Sequence, residues 1–338
     1  VLKSGALKVD DAAGKTLDQS ILELFRANEG IVLSGAELSS QLNISRTAVW
    51  KHVNALRNFG YRIEAVPARG YRLLASPDLF LPVEIQAGLN TKRIGKKIVC
   101  FTETSSTNTV AFKLAEDGAP EGTVVLADSQ TRGKGRLGRE WSSPPGVNLY
   151  ASIILRPPVL PMEASQLTFI SAVAVARAVE QVTSLKVRIK WPNDLLLDGR
   201  KFAGLLNEMS AETEKINFVV MGIGININML ADQFPTDLRY PATSLFIEGG
   251  CLVERNSFAR ILLQEMDDIY DCYLREGDRP IREEWLQRSR MAGCMVNVNL
   301  SGKLISGMVT GIDRIGALLL QLADGSEERI LAGDVTIL

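Results

Sequence analysis

The chain of 338 residues contains a single histidine, His52, and four cysteines, Cys100, Cys251, Cys272 and Cys294, with no C-x-x-C pair among them. That scarcity excludes a histidine-based triad in the main body and most zinc sites, so no resident metal is expected. Cysteines this scattered fit free thiols in a reducing compartment, and a cytoplasmic location is expected. No apolar run approaches the roughly 20 residues of a membrane span, and no signal-peptide pattern opens the sequence. There is no Walker A sequence. The G-x-G at Gly222 and Gly224 has no third glycine opening a helix, so neither a P-loop nor a Rossmann site is expected. The net charge of −1 gives no global bias toward nucleic acid, and 46% hydrophobic with 23% charged residues is ordinary for a globular protein.

Charge is uneven, however. Between Ser45 and Arg72 stand Arg46, Lys51, Arg57, Arg62, Arg69 and Arg72 against one acid, Glu64. Leu17 to Ala27 has helical apolar spacing. Ser34-Gly35-Ala36-Glu37 is a capping box opening a short helix to Leu42. Ser45 can cap a third helix, Arg46 to Asn58, which Gly60 ends. Two short helices across a tight turn make a helix-turn-helix, whose second helix reads the major groove with its first residues. Here those are Ser45, Arg46, Thr47, Trp50 and Lys51. Tyr61–Ala65 and Gly70–Leu74 form a hairpin wing that carries Arg69 at its tip, within reach of a phosphate. His52 is expected to be solvated or phosphate-facing rather than a ligand. Ala75-Ser76-Pro77-Asp78 is a linker.

In the main body, Thr131–Trp141 reads T-R-G-K-G-R-L-G-R-E-W. Its glycines let backbone N–H groups approach a ligand, and its four cations repel one another unless an anion sits among them. The loop is therefore suited to phosphate, and because its glycines make it costly to order it is expected to be mobile when empty. Upstream, the polar run Glu103–Asn108 caps a helix over Thr109–Glu116 and has more hydrogen-bonding groups than a cap needs. Strands are expected over Lys97–Thr102, Gly122–Ala127, Asn148–Leu155, Val187–Trp191, Leu195–Leu197, Arg200–Met209 and Ile216–Ile227. A buried helix is expected over Ala164–Val182, with further helices over Asn256–Glu276 and Arg282–Ser289. Asp198-Gly199 is a two-residue hairpin turn that fixes Lys201 just beyond it, a suitable place to steady developing negative charge. Glycine inside the Ile216–Ile227 strand marks close approach by another backbone or a ligand. From Met295 onward, short strands split by Ser301-Gly302, Ile315-Gly316 and Asp324-Gly325 indicate a small SH3-like barrel, whose last strand is expected over Glu328–Ile337.

Five motifs in order carry a resemblance: S-T-N at Ser106–Asn108, Q-T-R-G-K-G-R-L-G-R-E-W at Gln130–Trp141, K-W-P-N-D at Lys190–Asp194, R-K-F-A-G at Arg200–Gly204 and G-I-G-I-N at Gly222–Asn226. The chain resembles the bifunctional biotin protein ligases that also act as biotin operon repressors. The resemblance implies an α+β protein in three parts: a winged helix-turn-helix over 1–75, a class II synthetase-like ligase core of mixed or antiparallel sheet with helices over 83–290, and an SH3-like barrel over 292–338. It implies biotin and ATP as substrates with Mg2+, biotinyl-5′-AMP as the activated intermediate, and transfer to a lysine of a biotin carboxyl carrier protein, the acetyl-CoA carboxylase subunit. It also implies operator DNA and a homodimer, with no membrane partner. By motif position Ser106, Thr107, Asn108, Gln130 and Gly204 belong to the biotin pocket. Lys134, Gly135 and Arg136 wrap biotin and phosphate. Lys201 and Arg136 act on the developing charge. Arg139, Trp141, Asn193 and Asn226 belong to the nucleotide end.

Two rivals share these features: a biotin- or adenylate-sensing transcription factor without catalysis, and a lipoate-type acyl-protein ligase. There are also departures from the family pattern. Lys134 stands where the loop commonly has Arg and lacks the bidentate fork. Tyr240–Leu245 has no Trp where some relatives cover the adenine.

Overall fold

The computed structural model describes residues 17–300 and 303–338, so the expected Ser301-Gly302 turn lies outside the described residues. The chain divides into two compact units, which meet at Ala87 and Gly88.

The first unit comprises α1 (Leu17–Ala27), α2 (Gly35–Leu42), α3 (Arg46–Asn58), the antiparallel pair β1 (Arg62–Val66) and β2 (Gly70–Ala75), and α4 (Pro82–Gln86). Ser34 and Glu37 form the reciprocal capping box, and Ser45 Oγ accepts the Ala48 N–H at the start of α3. Ile21, Leu22, Phe25, Leu38, Val49, Val53 and Leu56 bury one face of each helix in a common core. Val83 joins that core, and the fully buried Glu84 pairs with Arg26 of α1. The unit therefore ends at Ala87, and residues 83–87, expected to open the ligase core, pack with the N-terminal unit instead. His52 is also placed differently from expectation. Its Nδ1 lies 2.8 Å from Asp18 Oδ1 on α1, which ties α3 to α1.

The second unit is built on a seven-stranded sheet of β3 (Ile98–Thr104), β4 (Val124–Gln130), β5 (Leu149–Leu155), β6 (Arg188–Lys190), β7 (Asp194–Leu197), β8 (Arg200–Ala211) and β9 (Ile216–Ile225). Its order is β3-β4-β5-β9-β8-β7-β6; β3–β4 is parallel and every other pairing antiparallel, so the sheet is mixed. Asp198 and Gly199 both have positive φ, 45° and 75°, as the two-residue turn between β7 and β8 requires. α5 (Thr107–Glu116) packs on β4, β5 and β9; α6 (Gln166–Val182) packs on β8 and β9 and against α8 (Arg255–Glu276) and α9 (Arg279–Ser289). A short α7 (Leu245–Gly249) precedes α8. Arg255, fully buried, meets Asp128 at 2.8 Å and the Asn148 carbonyl at 3.1 Å, fixing the start of α8 to the ends of β4 and β5. α5 starts two residues earlier than expected, which makes Thr107 and Asn108 helix residues.

The C-terminal part has β10 (Met295–Leu300), β11 (Lys303–Ile312), β12 (Leu318–Gln321), β13 (Glu327–Ile330) and β14 (Asp334–Ile337) in the antiparallel order β13-β12-β11-β10-β14. The single strand expected over Glu328–Ile337 is two strands on opposite edges of this sheet. Gly333 makes the break: its φ is 148°, and a Cβ there would fall 2.7 Å from Val298 Cγ1. Among the described residues, no helix is long and apolar enough to cross a membrane.

Candidate functional site

One face of the central sheet is cut back to glycine at three positions. Gly204 of β8 and Gly224 of β9 are direct cross-strand partners, and Gly222 sits between Ser152 of β5 and Leu206 of β8. A Cβ on Gly224 would lie 2.7 Å from Trp141 Cε2 and Nε1, and one on Gly204 would lie 3.0 Å from Trp141 Cζ3. The Trp141 indole therefore rests on the glycine pair. A Cβ on Gly222 would lie 2.2 Å from Asn108 Oδ1, so this glycine makes room for the Asn108 amide. The close approach expected at G-I-G is made by the protein's own side chains.

Above this floor, the glycine-arginine loop is closed as a small hairpin. Trp141 N–H donates to Gly133 O at 2.9 Å, Gly135 N–H donates to Arg139 O at 2.7 Å, and Lys134 and Glu140 form an antiparallel bridge. The repulsion among the loop cations, which led to the expectation of an anion among them, is met in part within the protein. Lys134 reaches Glu208 at 3.1 Å, Arg136 donates to Asn193 Oδ1 at 3.0 Å, and Arg139 pairs with Asp334 at 2.5 Å. The Asp334 hydrogen bond raises the Arg139 pKa, and the same bond holds the Asp334 carboxyl below its usual range. Burial lowers the pKa of Arg136, and that of Lys190, which lies 4.5 Å over the Tyr240 ring. Partly desolvated cations of this kind favour an anionic occupant.

Loop and floor enclose a cavity of about 710 Å³ lined by seven Lys and Arg residues against four Asp and Glu residues. At one end Gln130 Oε1 accepts the Thr107 N–H at 2.8 Å, and Gln130 Nε2 donates to Ser143 Oγ at 2.9 Å. Ser106 is the N-cap of α5, yet its side chain makes no cap bond. Toward the other end, Lys201 Nζ lies 2.6 Å from Asp194 Oδ1 and 5.3 Å from the centre of the Trp141 ring. The Lys201 backbone is fixed on both sides, its N–H donating to Pro241 O and its carbonyl accepting from Thr243, each at 2.9 Å.

With this geometry in place, the comparisons with known proteins bear on it. The family model "Biotin/lipoate A/B protein ligase family" matches residues 100–226, an HTH domain model matches 18–72, and "Biotin protein ligase C terminal domain" matches 293–338. The bifunctional ligase/repressor BirA of Bacillus spizizenii is 38% identical over 322 residues, 95% of this chain and 99% of that protein. The Escherichia coli protein of the same name is 32% identical over 310 residues, 90% of this chain and 92% of its own length. The chain belongs to the bifunctional ligase/repressor BirA family. Among solved structures, the biotin protein ligase from Aquifex aeolicus in complex with biotin and ATP is similar, with a TM-score of 0.62 and 28% identity, covering 72% of this chain and 99% of that one.

The residues that the family resemblance singled out in the main body all line the one cavity: Ser106, Thr107, Asn108, Gln130, Lys134, Gly135, Arg136, Arg139, Trp141, Asn193, Lys201, Gly204 and Asn226. Some already have partners in the protein. Asn193 takes the Arg136 guanidinium and donates to Leu205 O at 2.7 Å, while Asn226 donates to Thr243 O at 3.1 Å. Asn108 commits its amide to Ser152, Leu206 and Glu208. In the N-terminal unit Ser45, Arg46, Thr47, Trp50, Lys51 and Arg69 are exposed, although Ser45 Oγ is engaged in its cap. Arg57 and Arg72, counted in the basic patch, are held by Ile63 O and Glu64.

Sequence reasoning missed Asp194, Lys190, Arg239, Tyr240, Ser143 and Asp334. The first two lie inside K-W-P-N-D and could have been read from it; the others come together only through tertiary structure. Tyr240 stands in the segment that lacks Trp, between Lys190 and Arg239, whose guanidinium lies 5.2 Å from its ring centre.

The fit of Trp141 on the glycine pair is testable. Gly224→Ala should displace the indole and red-shift its emission against a Trp141→Phe control; an unchanged spectrum would contradict this packing.

Proposed function

We propose that the chain is a biotin protein ligase that also acts as a biotin-responsive transcriptional repressor, with the three matched segments serving as DNA-binding, ligase and C-terminal parts. The observation that carries the ligase reading is that five motifs spread over about 120 residues line a single cationic cavity. The matched structure's own complex with biotin and ATP supports the same ligand pair here.

In this reading Ser106, Thr107 and Gln130 hold the ureido ring of biotin. Lys134, Gly135 and Arg136 of the loop wrap biotin and phosphate, and Trp141, resting on the glycine pair, belongs to the nucleotide end. The carboxylate of biotin attacks the α-phosphorus of ATP; a C–O–P bond forms, the Pα–O bond to the β-phosphate breaks, and pyrophosphate leaves. Both reactants are anionic, so the principal barrier is their repulsion. Lys201 and Arg136 offset it where charge builds, and preorganised cations of this kind need no reorganisation during the step. In the second step the amine of a carrier-protein lysine attacks the acyl carbon. An amide forms, AMP leaves and the amine loses its proton. Mg2+, which the resemblance implies, would travel with the triphosphate oxygens. Among the described residues no group of three His, Cys, Asp or Glu side chains converges to hold it, so no residue is assigned to it.

Lys201→Ala is expected to reduce pyrophosphate release from biotin and ATP by about 10²–10³-fold while preserving the melting temperature. A rate near wild type would remove its role, and equal turnover of lipoate would favour the lipoate-type ligase. Repression would follow from the adenylate favouring a homodimer that sets two α3 helices, with Arg46, Thr47, Trp50 and Lys51 foremost, on a palindromic operator. Sedimentation with and without biotinyl-5′-AMP should show a shift toward dimer, and no shift at any protein concentration would break this link.

A further inference from the structure

Glu208 of β8 does not line the cavity, yet two chains of contacts meet on it. Its Oε1 accepts Lys134 Nζ from the loop at 3.1 Å, and its Oε2 accepts Asn108 Nδ2 at 2.8 Å. A carboxylate paired in this way only accepts hydrogen bonds. It therefore fixes the orientation of the Asn108 amide, as does the Leu206 carbonyl, 3.2 Å from the same nitrogen. Asn108 Oδ1 is then an acceptor, and it lies 2.6 Å from Ser152 Oγ. Ser152 is completely buried and has one proton, which must go to Asn108. The next contact, 2.8 Å between Ser152 Oγ and Thr107 Oγ1, is then a hydrogen bond only if Thr107 donates. The Thr107 proton is thus directed away from Gln130 Oε1, 3.2 Å distant, which is served instead by the Thr107 N–H. Two acceptor oxygens, Thr107 Oγ1 and Gln130 Oε1, stand side by side at the end of the cavity.

We propose that Glu208 is a positioning residue that, through the relay Thr107–Ser152–Asn108, fixes Thr107 as an acceptor, so that with Gln130 it selects a ligand presenting an N–H donor. The inference rests on the ligase reading and adds to it the source of ureido selectivity. Gly222 is part of the device, because only glycine leaves the space that Asn108 occupies. Glu208 also holds Lys134, so the carboxylate that sets the polarity of the vitamin pocket also anchors the loop above it.

The test uses the full chain, ATP, and two acids: biotin and the cyclic carbamate analogue in which oxygen replaces one ureido N–H. Pyrophosphate release is measured for wild type, Glu208→Gln and Ser152→Ala. Gln leaves the Asn108 amide held in this orientation by the Leu206 carbonyl alone and so loosens the relay; Ala releases the Thr107 proton to turn to Gln130. Wild type should favour biotin by about tenfold or more in KM, the scale of one hydrogen bond. In each variant the KM for biotin should rise about tenfold, with the preference falling to about threefold or less, while kcat and the KM for ATP stay within about twofold. Should Glu208→Gln fail to fold, Ser152→Ala carries the same expectation. Wild-type turnover with unchanged preference in the variants overturns the relay alone, as does a loss spread equally over kcat and both KM values. No pyrophosphate release by the wild-type chain overturns the ligase reading and this inference with it.

Discussion

Arg132, Lys134, Arg136 and Arg139 stand within eight residues of one loop, and their mutual repulsion is the constraint around which the second unit is arranged. Glu208 on the central sheet, Asn193 beyond the β6 strand, and Asp334 at the start of β14 each take one of the last three. These partners come from three places far apart in sequence, so satisfying the loop draws the central sheet and the C-terminal strands to the same cavity. The pairing is incomplete by design of the site: burial still disfavours the charge on Arg136 and Lys190. An anionic occupant would relieve that cost.

The second constraint is steric. A loop ending in tryptophan can lie on a sheet only where the sheet lacks side chains. Gly204 and Gly224 meet this requirement as cross-strand partners, and Gly222 does the same for Asn108. The glycine floor and the cationic loop are therefore one device. The floor lets Trp141 and Asn108 sink to the sheet, and those two side chains set the height at which the loop closes and the polarity of the pocket beneath it. The N-terminal unit follows separate rules, with capped helices over a compact apolar core and an exposed row on α3.

Much of this was legible in the sequence. The capping box at Ser34, the cap at Ser45 and the Asp198-Gly199 turn are local signals, and the structure has each where the sequence placed it. The residues named from the five motifs line one cavity. What escaped was tertiary. Nothing near Asp334 in the sequence points to Arg139, and a buried strand pattern at Glu208 shows only an acid on β8. The ligase core was expected to open at residue 83, but a buried Glu84–Arg26 pair and Val83 attach residues 83–87 to the N-terminal core, a contact invisible to composition. The strand expected over Glu328–Ile337 failed at Gly333, whose positive φ serves close packing on Val298 rather than a simple hairpin.

The central claim is that the cationic loop closes over biotin and the nucleotide together. Amide hydrogen exchange of residues 131–141, followed with biotin, ATP, and both, tests it most directly. The account predicts strong added protection across this stretch when both ligands are present, with less from either alone. Formation of biotinyl-5′-AMP without any added protection there would contradict it.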